Sequence, residues 1–167
     1  GGVIVNDEST CDVDPQRFIL LSTGYCRTTK TFLALILGVP IVSIEWLTAC
    51  EQSGTFLPPT GYLVRIPGRS SREPSQSGKY LMQEWTLGVE GNASFVKSWS
   101  TICRAAGATV IDGGITTLHT GRILVQKLPS ASSRMSRLAS EKGVVVITVD
   151  WLIDLIICPF NIMIYLG

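Results

Sequence analysis

Two stretches of the chain repeat each other at a fixed spacing. Gly38-Val-Pro-Ile-Val-Ser-Ile-Glu-Trp-Leu47 matches Gly143-Val-Val-Val-Ile-Thr-Val-Asp-Trp-Leu152, 105 residues later. The same offset, without gaps, sets Phe18-Ile-Leu-Leu21 beside Ile123-Leu-Val-Gln126 and Gly1-Gly-Val-Ile-Val5 beside Ala106-Gly-Ala-Thr-Val110. Three matches in one register are hard to obtain by chance. The chain is therefore read as two versions of one module.

Each matched piece has a local structure. Residues 3–5, 18–21, 109–111 and 123–125 are short apolar strands. Residues 39–44 and 144–149 are continuous apolar runs, the pattern of a strand covered on both faces. Helices lie between them. Thr28 or Thr29 caps one that continues through Leu37, where Phe32, Leu33, Leu35 and Ile36 form an apolar face and Gly38 stops it. Residues 130–142 play that part in the second copy, with Met135 and Leu138 inward and Gly143 at the end. A further short helix starts at Glu45 and at Asp150, acidic residues suited to a helix N-terminus. Alternating strands and helices imply an α/β fold, each module a small parallel sheet flanked by helices.

The second copy also has an opening, a strand at 85–89 and an amphipathic helix at 93–106 with Phe95, Val96, Trp99, Ile102 and Cys103 on one side. Their counterparts would precede residue 2. The first module is thus expected to lack its opening strand and helix, as in an N-terminally truncated fragment. The expected organisation is a partial first repeat at 1–55, an inter-repeat linker at 56–80, a second repeat at 81–160 and an atypical tail at 161–167. Residues 65–79, rich in Ser, Gly, Pro and Arg, read as a loop. Phe56-Leu-Pro-Pro-Thr-Gly-Tyr62 differs: its apolar and aromatic residues flank a Pro-Pro turn and are expected to pack against a module.

Composition removes whole classes of function. With 46% hydrophobic and 16% charged residues, the chain is no disordered tail. Its 14 Lys plus Arg against 13 Asp plus Glu supply no broad field for a polyanion, so phosphate must be recognised by a few placed side chains. No sequence-specific nucleic-acid binding is expected. Five cysteines without a C-x-x-C pair argue against a disulfide framework or a zinc site, and no cofactor is expected. The apolar run 144–167 is long enough to cross a bilayer. Asp150 and Asp154 would each cost about 2.5 to 3.5 kcal/mol there and Pro159 interrupts it, so a strand followed by a helix is the expected form. The chain has neither G-x-G-x-x-G nor G-x-x-x-x-G-K-[ST], and His119, its one histidine, has no acidic or serine partner nearby in sequence. Trp46 and Trp151, once per module after a buried strand, read as packing residues. Arg65, Arg69 and Arg72 form a loose basic group in the linker.

The order strand, helix ending at Gly-Gly, strand, strand, helix, strand and Trp-containing helix resembles the BRCT repeat. Gly-Val-Pro-Ile-Val followed by Trp46, and Gly-Val-Val-Val-Ile followed by Trp151, look like its signature. Cys26-Arg-Thr-Thr-Lys-Thr-Phe-Leu33 and the 56–62 stretch resemble the tandem pair of DNA-damage checkpoint mediators, which bind a tumour suppressor and a phosphorylated histone tail at double-strand breaks.

The resemblance implies a non-catalytic, nuclear phosphopeptide reader in the DNA damage response. Lys30 matches the family's phosphate-binding lysine, and Thr28 and Thr29 beside it at the helix start are expected to bind the phosphate with it. Arg27 matches a basic residue that reaches the peptide a few positions beyond the phosphate, at a backbone group or free carboxylate. The family's hydroxyl ligand has no counterpart, since its loop would precede Gly1. In the second module Ser132 and Met135 stand where Arg27 and Lys30 would be. A second implied role is phosphate-independent docking of a folded partner, such as the tumour suppressor's DNA-binding domain, through Leu57 and Tyr62. A third is that of a BRCT appendage to a DNA repair enzyme.

The physical case for the site is independent of the likeness. Phosphoserine carries about −1.5 to −2 charges, and a helix N-terminus with an adjacent ammonium suits it. Two cations in a first helical turn oppose the helix dipole, a placement that favours a binding role over stability.

Overall fold

Residues 31–37 hold no charged side chain, and a helix apolar on every side needs walls on every side. The computed structural model describes residues 14, 17–69, 78, 80–113, 117–119, 122–126 and 134–158. In the first module β1 (Leu20–Ser22) leads through α1 (Thr29–Leu37) to β2 (Ile41–Ser43), then α2 (Glu45–Ser53) and a 3₁₀ turn at Pro59–Tyr62. The second module runs β3 (Thr86–Glu90), α3 (Ala93–Ala105), β4 (Thr109–Val110), β5 (Ile123–Gln126), α4 (Arg134–Glu141), β6 (Val145–Thr148) and α5 (Val149–Ile157). All strand pairs between these elements are parallel, ordered β1-β2 and β4-β3-β5-β6. The fold is the expected α/β arrangement of small parallel sheets with flanking helices. Among the described residues no strand or α-helix precedes β1. The strand expected at 3–5, the start of the helix expected at 130–142, and the tail at 161–167 lie outside them.

The repeat holds in space, with one correction. Helices α1 and α4 are each followed by a left-handed glycine, Gly38 at φ 74° and Gly143 at φ 63°, and these glycines are 105 residues apart. A side chain there would be strained, which accounts for the matched glycines. The strands depart from the offset. Leu20 lies opposite Ile41, whereas Leu124 lies opposite Val146. Leu20 therefore corresponds to Leu124, not Val125, and the gapless pairing of 18–21 with 123–126 is one residue out. The second module has one residue more between this strand and the glycine that follows the helix, and in a strand such a slip exchanges the faces. Full cover of both long runs also fails: Ile41 and Val42 are buried, but Ile44 is 49% and Val145 57% exposed.

Helix α1 is buried from Thr31 to Leu37, all round rather than on one face as expected. It packs on β1 and against α3 and α5 of the second module. Phe32 meets Trp99 across this boundary, with ring centroids 5.8 Å apart. One apolar cluster contains Phe32 and Ile36 from the first module with Trp99, Ile102, Leu152 and Ile156 from the second. A smaller cluster of Leu118, Leu124, Ala139 and Val144 lies under α4.

Trp46 and Trp151 are packing residues, as expected. Trp151 stacks on Trp85 at 5.9 Å. Trp46 is buried, and its indole N–H donates to the Leu57 carbonyl at 2.8 Å. The Leu57 amide donates to Cys50 Sγ, Val64 N–H donates to the Ile41 carbonyl, and Leu63 bridges Val42 antiparallel. The segment after α2 thus wraps that helix and borders β2. Trp46→Phe keeps the ring but loses the indole donor. It should lower stability by about 0.5 to 1.5 kcal/mol and speed protease cleavage near Phe56, read by denaturant titration and limited proteolysis.

Candidate functional site

The N-terminus of α1 gathers the first module's candidate residues. Thr28 is its cap, with extended backbone (φ −112°, ψ 158°), and its Oγ1 accepts from Thr31 N–H at 3.2 Å. The Thr28 and Thr31 hydroxyls also meet at 2.9 Å. Phe32 N–H begins the helical ladder at the Thr28 carbonyl. The amides of Thr29 and Lys30, in the first turn, carry the positive end of the helix dipole. That turn holds no acidic residue. Lys30 is exposed there, so its ammonium belongs to the same turn as these amides. This combination can hold a dianionic oxyanion such as a phosphate monoester.

Arg27 is exposed just ahead of the cap. Its Nη2 lies 3.6 Å from Asp150 Oδ1, in the first turn of α5. This ion pair joins the two modules at the site and was not legible in the sequence. Asp150 is visible there only as a helix-start residue, and nothing local places α5 beside α1.

Beside Arg27 the junction opens into a cleft of about 600 Å³. Tyr25 and Arg27 line it from the first module, Pro67 and Gly68 from the connecting segment, and Asp154, Ile157 and Cys158 from the second. The Cys158 thiol donates to the Gly68 carbonyl at 2.8 Å, fastening the end of α5 to that segment. The Tyr25 hydroxyl is buried with no hydrogen-bond partner.

The other sequence candidates lie elsewhere. Leu57 and Tyr62 are half-buried in the segment that wraps α2. Around them Ile44, Leu47, Phe56 and Leu63 are exposed, Phe56 by 78%. His119 is exposed, and among the described residues no three His, Cys, Asp or Glu side chains converge as a metal site requires. Among them, too, no helix is long and apolar enough to cross a membrane. Ser132 and the side chain of Met135 lie outside the described residues.

No protein-family model matches the chain. Over 41 residues, 25% of its length, it is 49% identical to mediator of DNA damage checkpoint protein 1 of Mus musculus. It is 46% identical to the Homo sapiens protein over the same length. The matched stretch is 2% of either relative. Among solved structures, the chain resembles the BRCT5-BRCT6 domains of S. pombe Brc1 with a TM-score of 0.59 and 15% identity, over 86% of this chain and 79% of that one. It resembles Rtt107p, solved in complex with a phosphorylated histone, with a TM-score of 0.62 and 11% identity over 87% and 73% of the two chains. Identities this low establish architecture rather than activity. The two modules have the fold of a tandem BRCT pair, and part of their sequence is similar to DNA damage checkpoint mediators.

Proposed function

We propose that the chain is a non-catalytic nuclear adaptor that reads a phosphorylated protein tail, histone-like, in the DNA damage response at double-strand breaks. One observation carries this reading: the Thr28-capped N-terminus of α1 presents Lys30 and the amides of Thr29 and Lys30 beside Arg27 at the module junction. Lys30 and the amides would hold the phosphate, and Arg27 the peptide beyond it. The resemblance to Rtt107p, solved with a phosphorylated histone, supports the class of ligand. Binding would switch with phosphorylation, because a neutral serine brings too little charge to offset desolvating the helix end.

The test is the affinity of the chain for a phosphoserine peptide and its unphosphorylated twin. Phosphorylation should tighten binding at least about tenfold, and Lys30→Met should remove most of that gain. Equal affinity for the two peptides, or an unchanged gain in the variant, would overturn the reading.

A second reading has its own observation. The exposed Ile44, Leu47, Phe56 and Leu63, grouped around α2 and the segment carrying Leu57 and Tyr62, could dock a folded partner such as the tumour suppressor's DNA-binding domain. Substituting Leu57 or Tyr62 would weaken that contact, and Lys30→Met would spare it.

A further inference from the structure

The second module supplies a measure of what the first leaves open. Strand β5 is paired on both sides, by β3 and β6, whereas its counterpart β1 is paired, among the described residues, by β2 alone. The N–H and C=O groups along the other edge of β1 are a template for one more strand. The side chains agree. Leu21 corresponds to Val125 by register, and Ile44 and Leu47 correspond to Val149 and Leu152 by the 105-residue offset. Val125, Val149 and Leu152 are buried in one cluster with Trp99 and Ile102 of α3. Leu21 is 38% and Leu47 42% exposed, and Ile44 is exposed as well. The second module is closed here by β3 and α3. Among the described residues the first module has no such cover.

Charge narrows what could supply it. Helix α3 carries two cations, Lys97 and Arg104, and no acidic residue. Helix α2 carries two carboxylates, Glu45 and Glu51, and no basic residue. Leu47 follows Ile44 by three residues and Glu51 follows Leu47 by four, so the three share one side of α2. Ile156, which stands in the second module where Glu51 stands in the first, is buried. A cover on the first module would therefore meet a carboxylate at a place that is apolar in the second, and a cation on the cover would pair with it.

We propose that β1 and this side of α2 form a docking surface for a segment of another polypeptide: an extended apolar strand that lies parallel to β1 and continues into a basic amphipathic helix over Leu21, Ile44 and Leu47. The β3–α3 unit is the pattern of this ligand. Its hold on β5 and α5 consists of strand pairing and apolar packing, contacts that a separate chain can make as well. The surface is independent of the phosphate site at the start of α1.

The experiment is fluorescence anisotropy on the whole chain, under reducing conditions, with a labelled synthetic peptide of residues 84–107 as probe. The second module already holds its own copy of this sequence, which leaves the first module to bind the peptide. Saturable binding below about 0.1 mM is expected. Leu47→Arg should weaken it at least about 10-fold, and Glu51→Gln about 2- to 5-fold with a smaller dependence on salt. Both positions are exposed, so the urea midpoints of the variants should stay near that of the parent. Separate peptides of the strand, 84–90, and of the helix, 92–107, should each bind at least about 10-fold more weakly than the whole. Lys30→Met should leave the affinity unchanged. No saturable binding, binding that Leu47→Arg does not weaken, or a helix peptide as tight as the whole overturns the proposal. Self-association of the chain that Leu47→Arg abolishes would assign the face to a second copy and overturn it too.

Discussion

Phe32→Ala should destabilise the chain by about 3 to 5 kcal/mol, a large share of the roughly 5 to 15 kcal/mol that holds a domain folded. The ring is almost fully buried in α1 and meets Trp99 of α3, so its loss opens a cavity between the two modules rather than inside one. The urea midpoint should fall by more than about 1 M. Two probes should separate the modules. Trp46 lies in the first, and Trp85, Trp99 and Trp151 lie in the second. Leaving one tryptophan at a time as the fluorophore should show coincident unfolding in the parent chain and earlier loss of the Trp46 signal in the variant. Phe56→Ala is the control, because that ring is largely exposed and should cost no more than about 0.5 kcal/mol. Similar costs at the two positions would contradict a core shared by the modules.

The second large effect is on pH dependence. Cys103 sits in α3 with no exposed surface, and burial pushes its thiol from 9.0 up to about 12, with the nearby Arg104 charge acting weakly in the opposite direction. Below pH 9 the thiol is protonated whether the chain is folded or not, and it contributes no slope. Between about pH 9 and 12 the unfolded chain gives up this proton while the folded chain keeps it. The unfolded state then binds fewer protons, so stability falls as pH rises, by as much as about 1.4 kcal/mol per unit. Other groups titrate in this range, so the measurement is a difference. Urea midpoints of the parent and Cys103→Ala should converge as pH is raised from 8.5 to about 10.5, since the variant lacks this slope. Parallel pH profiles would refute the assignment. Thiol labelling gives a second readout: exposed Cys26 should react in the native state, and Cys103 only at the rate of unfolding.

What the sequence reveals and what it hides divide along a physical line. Features fixed by neighbours in the chain are readable: the Thr28 cap, the glycine stops at Gly38 and Gly143, the helix start at Glu45 and, to within one residue, that at Val149, and the apolar face of α3 around Trp99. Each depends on local backbone geometry or on helical periodicity. Features that depend on a distant partner are not readable. The apolar residues of α1 could be read as one buried face, but its full enclosure requires α3 and α5, which lie far along the chain. The register of β1 differs from that of β5 because the second module has one residue more between the strand and its glycine stop, and an ungapped comparison cannot register that. At the site, Lys30 and Arg27 stand out as cations in an unfavourable place, whereas Asp150 and Asp154 gain meaning only when α5 is set against Arg27. The Tyr25 hydroxyl gave no sequence signal.

Helices α1 and α4 occupy the same place in the repeat, yet they have diverged in opposite senses. Helix α1 is walled in by both modules, and α4 keeps a charged outer side with Arg137 and Glu141 exposed. The pair therefore has a direction: among the described residues, the surface by which the first module receives the second has no equivalent on the second. A third module could not stack on α4 as the second stacks on α1 without stranding those charges in an apolar seam.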